Sequence, residues 1–232
     1  MPPLGRSWFK QVPELSRHFR TISYDVHKDL DPRHDVADLA DEAAALLDHL
    51  GVEKAHVLGT SFGGSVAQKL ALERLELVDG LVLVRTSYGA REPERMSLRT
   101  MGRMFGWGSF GVKDAARRGL EATTSHTYRV RNREEFEDLT RWHLTTSPSF
   151  SGFYEQALAE AHFDSYRDVG HTTAPTLVTH GADGRYVPVG NAALAGAIPD
   201  SRLVVLRDAG HLVFIERAWE VNHEVNSFLE PR

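Results

Sequence analysis

The sequence predicts an α/β domain, a mostly parallel, doubly wound sheet carrying a helical insertion. Three observations lead there. Between Asp35 and Arg85, short β-branched runs alternate with amphipathic segments, and that rhythm implies right-handed crossovers and a sheet covered on both faces. The rhythm returns between Ala174 and Leu229. Residues 86–168 lie between the two halves and are helical in pattern, aromatic-rich and without a convincing strand.

The elements follow in order. A helix is expected around Trp8 to Phe19, then a strand over Thr21–Val26, whose TISYDV composition is β-branched and aromatic. From Asp35 to Leu50, apolar residues recur at three- and four-residue spacing (Val36, Leu39, Ala43, Leu46, Leu47, Leu50), with Asp35 placed as a cap and Gly51 just past the end. Ala55–Thr60 reads as a short buried strand, SFGGSVAQKLALERL as a helix and Gly80–Arg85 as another strand. After the insertion come a strand at Ala174–His180, a helix near Asn191–Ile198, a strand at Arg202–Leu206 and a closing helix from Ala218 to Leu229. The expected organisation is a core of residues 1–85 and 169–232 with 86–168 inserted as a cap.

Composition removes several functional classes. At 232 residues, 41% hydrophobic and 25% charged, the chain can bury a large core and matches an ordinary globular protein. Lys and Arg total 27 against 32 Asp and Glu, a net charge of -5, so no basic excess drives nucleic-acid binding. There are no cysteines, which excludes disulfides, thiolate metal sites and a cysteine nucleophile and fits a reducing, cytoplasmic setting. No apolar run reaches membrane-spanning length, and the N-terminus lacks a signal pattern.

The sharpest motif is Gly59-Thr60-Ser61-Phe62-Gly63, followed by Gly64. It sits between a predicted strand and a predicted helix, where small residues two positions either side let the backbone turn sharply and expose the serine. A serine needs a base, and the base an orienting acid. His211, directly after the RLVVL strand, is the base candidate, and Asp183, directly after PTLVTH, the acid candidate. All three fall at carboxyl ends of strands, where open α/β sheets place their sites. The remaining histidines show no metal-ligand spacing, so no metal is expected. Gly106-Trp107-Gly108-Ser109-Phe110-Gly111 spells a dinucleotide string but lacks a preceding strand, which makes a bend in the insertion the better reading.

The turn GTSFGG, the segment PTLVTHGADGRYVP and the ending AGHLVFIERAWEVNHEVNSFL resemble the α/β-hydrolase superfamily over most of the chain outside the insertion. The resemblance implies acyl transfer without an organic cofactor: Ser61 as nucleophile, His211 as base, Asp183 as acid, and the Phe62 N–H as one oxyanion donor. It also implies an N-terminally shortened sheet. The superfamily has further strands before this point, and Met1-Pro2-Pro3-Leu4-Gly5 stands where a loop would supply the second oxyanion donor. The family's acid register falls on Gly184, one position after Asp183, and the alternative place after GLVLVR holds Arg85, Thr86 and Ser87. HKDLDPRHD replaces a glycine-rich run, and together with the doubled proline and LLDHLGVEKAHVLGTSFGGSVAQKLA it is similar to the maspardin branch, associated with partner binding.

Two functions are therefore expected from different classes. The first is a serine hydrolase acting on an ester, thioester or lactone of a small-to-medium, partly apolar carbonyl substrate, with carbon–carbon cleavage by the same triad as a variant. The second is a hydrolase-like binding or adaptor protein. Aromatics of the insertion are expected mainly in its own core and partly over the substrate. An open sheet edge at TISYDV predicts homodimerisation.

Overall fold

Four parallel strands carry the architecture of the computed structural model, which describes residues 6–24, 34–89, 112–146, 150–183 and 190–230. They are β1 (Ala55–Thr60), β2 (Val78–Val84), β3 (Thr176–Gly181) and β4 (Ser201–Leu206), in the spatial order of their numbering. Each successive pair is parallel. The crossovers are helical: α3 (Phe62–Glu73) joins β1 to β2, and α8 (Gly190–Ala197) joins β3 to β4.

Strand β2 shows why the sheet is covered on both faces. Its side chains alternate by geometry. Leu81 and Leu83 enter one apolar cluster, with Leu39, Ala43, Val66, Leu70 and Leu194. Val82 and Val84 enter another, with Leu120, Phe136, Val213, Val221 and Val225. All four of these strand residues are fully buried, each worth roughly 1.5–3 kcal/mol relative to exposure. The first cluster packs α2 (Val36–His49), α3 and α8 on one face; the second holds the closing helix α10 (Ala218–Leu229) and part of the insertion on the other.

Helix α2 forms as its sequence directs. Asp35 Oδ1 accepts from the Ala37 and Asp38 amides at 2.7 and 3.1 Å, while Asp38 Oδ2 accepts from the Asp35 amide at 2.9 Å, a reciprocal capping box. Gly51, past the end, takes φ +63°.

Two N-terminal expectations are corrected. In place of one helix from Trp8 to Phe19 there are a 3₁₀ turn (Arg6–Trp8) and a single helical turn, α1 (Val12–Leu15). Tertiary anchors hold this segment: Gln11 Nε2 donates to Phe214 O at 2.6 Å, Asn222 Nδ2 donates to Lys10 O at 2.9 Å, and Trp8 packs on Phe214. Residues 21–24 are not a strand; β1 pairs only with β2 among the described residues, and strand-like composition without a neighbouring ladder does not make a strand. Asp25 and Val26 of that expected strand lie outside the described residues.

Between β2 and β3 the described elements are helices α4 (Val112–Thr123), α5 (His126–Arg131), α6 (Arg133–Thr146) and α7 (Phe150–His162). Tyr128 and Phe136 are buried in the second apolar cluster, and Trp142 packs against it. The two ends of the insertion are stitched together: Gly89 bridges Asp164, and the Ser165 amide donates to Tyr88 O at 2.8 Å. The GWGSFG string lies outside the described residues.

Candidate active site

Ser61 stands between β1 and α3 with φ 49° and ψ -122°, a backbone conformation that a non-glycine residue adopts only when its surroundings impose it. The imposition is visible in two glycines. A Cβ on Gly59 would lie 2.3 Å from Gly63 O, and one on Gly64 would lie 2.4 Å from Thr86 Cβ. A Cβ on Gly63 would meet nothing within 4 Å. Tight clearance therefore belongs to Gly59 and Gly64, not to the symmetric pair that the motif suggested. The Ser61 amide donates to Val84 O at 3.0 Å and the Gly64 amide to Ser61 O at 2.8 Å, which fixes the turn from both sides. Phe62 opens α3 and packs against the first apolar cluster. The first amides of a helix have no intrahelical acceptor, so the Phe62 N–H has the geometry of an anion donor.

His211 follows β4. Its amide and that of Leu212 both donate to Thr123 O, at 2.7 and 3.1 Å, which ties the histidine loop to the C-terminal end of α4. Glu216, on α9 (Val213–Glu216), adds a second tie. Its Oε1 accepts from the Gly210 amide and its Oε2 from the Ser125 amide, both at 2.9 Å. Burial pushes the Glu216 carboxyl upward in pKa, and those hydrogen bonds oppose the shift. The His211 imidazole is pushed down to about 3, first by desolvation, then by the charges of Arg85 and His180.

Asp183 lies two residues beyond the end of β3. Its amide donates to Ala209 O at 2.9 Å and that of Ala182 to Leu206 O at 2.8 Å, so the acid loop and the histidine loop run side by side. Its side chain is exposed. Among the described residues, no hydrogen bond joins the Asp183 carboxylate to His211, or Ser61 to His211. The structure thus sets the three candidates along one edge of the sheet without closing a hydrogen-bonded chain. Met1–Gly5, expected at the second oxyanion position, lie outside the described residues.

Sequence reasoning missed a buried polar group at the same edge. Arg85, one residue past β2, is 0% exposed and has φ 49°. Its Nη1 lies 2.9 Å from His180 Nδ1 and 3.3 Å from Nε2. A guanidinium has no acceptor, so the nearer ring nitrogen accepts and His180 is neutral. Desolvation pushes Arg85 down to about 10. The available signal was an Arg continuing the apolar run LVLV, and a Glu five residues after His211 within VFIE.

A strained serine at a strand-to-helix turn, a histidine loop after the last strand and a parallel sheet covered by helices define the α/β-hydrolase class. The sequence matches the Alpha/beta hydrolase family over residues 2–223, and the chain belongs to that family. It is 28% identical over 207 residues to 2-hydroxymuconate semialdehyde hydrolase of Pseudomonas putida, covering 86% of this chain and 70% of that protein. It is also 28% identical over 239 residues to poly(3-hydroxyalkanoate) depolymerase of Ectopseudomonas oleovorans, covering 96% and 79%. The fold superposes on the enol-lactonase from Burkholderia xenovorans LB400 with a TM-score of 0.83 and 25% identity, covering 98% and 87%. No helix among the described residues is long and apolar enough to cross a membrane.

Proposed function

We propose that the protein is a serine hydrolase that cleaves an ester, thioester or lactone of a small-to-medium, partly apolar substrate. The observation that carries this reading is Ser61 held at φ 49° at the head of α3, a strained placement that presents a hydroxyl beside unpaired helix amides. Ser61 Oγ attacks the carbonyl carbon as its proton passes to His211, and the Phe62 N–H faces the oxygen that becomes negative. The proton then moves to the leaving oxygen or sulfur, the C–O or C–S bond breaks, and water releases the acid from the acyl-enzyme by the same route. Asp183 would orient His211 once its loop closes by a side-chain rotation, since catalytic hydrogen bonds often tighten only with substrate bound.

The similarity to a polyester depolymerase and a lactonase supports oxygen-ester chemistry. The similarity to 2-hydroxymuconate semialdehyde hydrolase supports carbon–carbon cleavage as a variant of the same machinery. One observation favours a second reading, a hydrolase-like binding protein: the Asp183 carboxylate is exposed and not bonded to His211. Covalent labelling with a fluorophosphonate probe, read by intact mass and peptide mapping, separates the two. Stoichiometric labelling at Ser61 that disappears in Ser61→Ala and His211→Ala supports the hydrolase. A folded protein that stays unlabelled supports the binding protein.

A further inference from the structure

We propose that Arg85 is a positioning residue of this site, a buried fixed cation that acts through His180 to hold His211 unprotonated and in place; the inference rests on the serine-hydrolase reading. Its geometry runs across three neighbouring strand ends. The Arg85 amide donates to Thr179 O at 3.0 Å, and the guanidinium bonds the adjacent His180. His180 pairs with Val205 across β3 and β4. Gly181 then approaches Gly210 so closely that a Cβ would lie 2.3 Å from its carbonyl oxygen, and His211 is the next residue.

Nothing about this arrangement is cheap for an arginine. A long charged side chain is almost never fully buried unless it is engaged, and a left-handed φ is strained for any residue with a Cβ. Asn tolerates that backbone better and carries no charge. The placement is therefore explained by what the charge does locally.

The groups facing this region come from several elements. Arg85 ends β2, His180 lies in β3 and Asp183 follows it, exposed to solvent. Glu216 is on α9, its carboxylate occupied by the Ser125 and Gly210 amides. Arg129, on α5, donates to Thr124 O and faces Glu216. Tyr128 stands behind, toward Glu135 and Glu216. Neutral His180 adds no charge, so the cation nearest the base is Arg85, and it opposes a second positive charge on His211. The depressed His211 pKa is in keeping with this, with Arg85 named after burial as its cause. A base kept neutral accepts the Ser61 proton even in acid and passes it on quickly.

The test is the rate of fluorophosphonate labelling at Ser61 against pH in the full chain, for the natural protein, Arg85→Lys and Arg85→Asn. The expected result is a natural rate that changes less than about twofold between pH 8 and pH 5, because the titrating imidazole lies well below the ordinary His value of about 6.5. Arg85→Asn is expected to lose about tenfold over that interval, with Arg85→Lys close to natural behaviour. An acid limb unchanged in a folded Arg85→Asn protein overturns the proposal. His180→Phe, which keeps a ring and removes the nitrogen acceptor, provides the same reading if Arg85→Asn does not fold. If the natural protein does not label, the hydrolase reading has failed on its own; the His211 ring-proton NMR titration then decides, an upward pKa shift in Arg85→Asn supporting the charge role and no shift ending it.

Discussion

Ser61 and Arg85 leave adjacent strands at the same level and with the same backbone twist. Each follows directly on a member of the register pair Thr60 and Val84, and each has φ 49°. The first places a hydroxyl at the sheet's edge; the second drives a guanidinium into the interior, where it is 0% exposed. Two strained residues side by side store conformational energy of about 1–3 kcal/mol each, and both lie at the catalytic edge of the sheet.

That strain can be read directly. Ser61→Gly removes the Cβ that makes φ 49° unfavourable, so the folded protein is expected to gain about 1 kcal/mol and melt about 2–4 °C higher while losing all labelling at position 61. Differential scanning calorimetry beside the labelling assay checks both halves; an unchanged or lower Tm would mean that the turn is not strained.

The turn's glycines should behave unequally. Gly59→Ala forces a Cβ to within 2.3 Å of the Gly63 backbone and is expected to destabilise by several kcal/mol, on the order of the largest core effects. Gly63→Ala meets open space inside a helix and is expected to be neutral or stabilising by up to about 1 kcal/mol. Urea melts of the two variants would reverse this reading if Gly63→Ala proved the more damaging.

Glu160 gives a pH-dependent signature away from the triad. Ser65 Oγ donates to its Oε1 at 2.9 Å, and burial pushes its pKa up to about 7. A carboxyl raised above its unfolded value near 4.5 contributes stability below that pH and loses it as pH rises through the folded value. Glu160→Gln keeps the hydrogen bond without the ionisation. Its advantage over the natural protein should be near zero below pH 4.5 and grow to on the order of 2–3 kcal/mol above pH 7, measured by denaturant melts at each pH. A constant difference would show that Glu160 ionises as freely folded as unfolded.

Glu216 is expected to matter for the shape of the histidine loop. Glu216→Ala leaves the Ser125 and Gly210 amides without their shared carboxylate, at a cost of about 2–5 kcal/mol for two buried donors. Glu216→Gln retains one acceptor oxygen and should fall between. Thermal melts of both, with amide hydrogen exchange at Gly210, test the ordering; equal stability of all three proteins would remove Glu216 from this role.

What the sequence makes legible is local. Helix α2 could be read because its period, its Asp35 cap and Gly51 all act within one turn of each end, and the strands because apolar runs alternate with helices. Ser61 stood out because a turn this tight leaves its mark within six residues. The strand expected at TISYDV failed because a strand needs a partner's ladder, which composition cannot supply. Gly63 was assigned a clearance that Gly64 provides, since Thr86, the neighbour that needs the space, is distant in the chain. Arg85, His180 and Glu216 escaped notice for the same reason: three separated segments make their contacts, and no short spacing announces them.

Thr123 O receives the amides of both His211 and Leu212, and Glu216 clasps Ser125 to Gly210. The first helix of the insertion and the base-bearing loop are thus one unit with two shared fastenings. An engineer who exchanged residues 112–146 for a homologous stretch to alter selectivity would also reseat the imidazole, so a graft of this kind should be designed with residues 208–216 included.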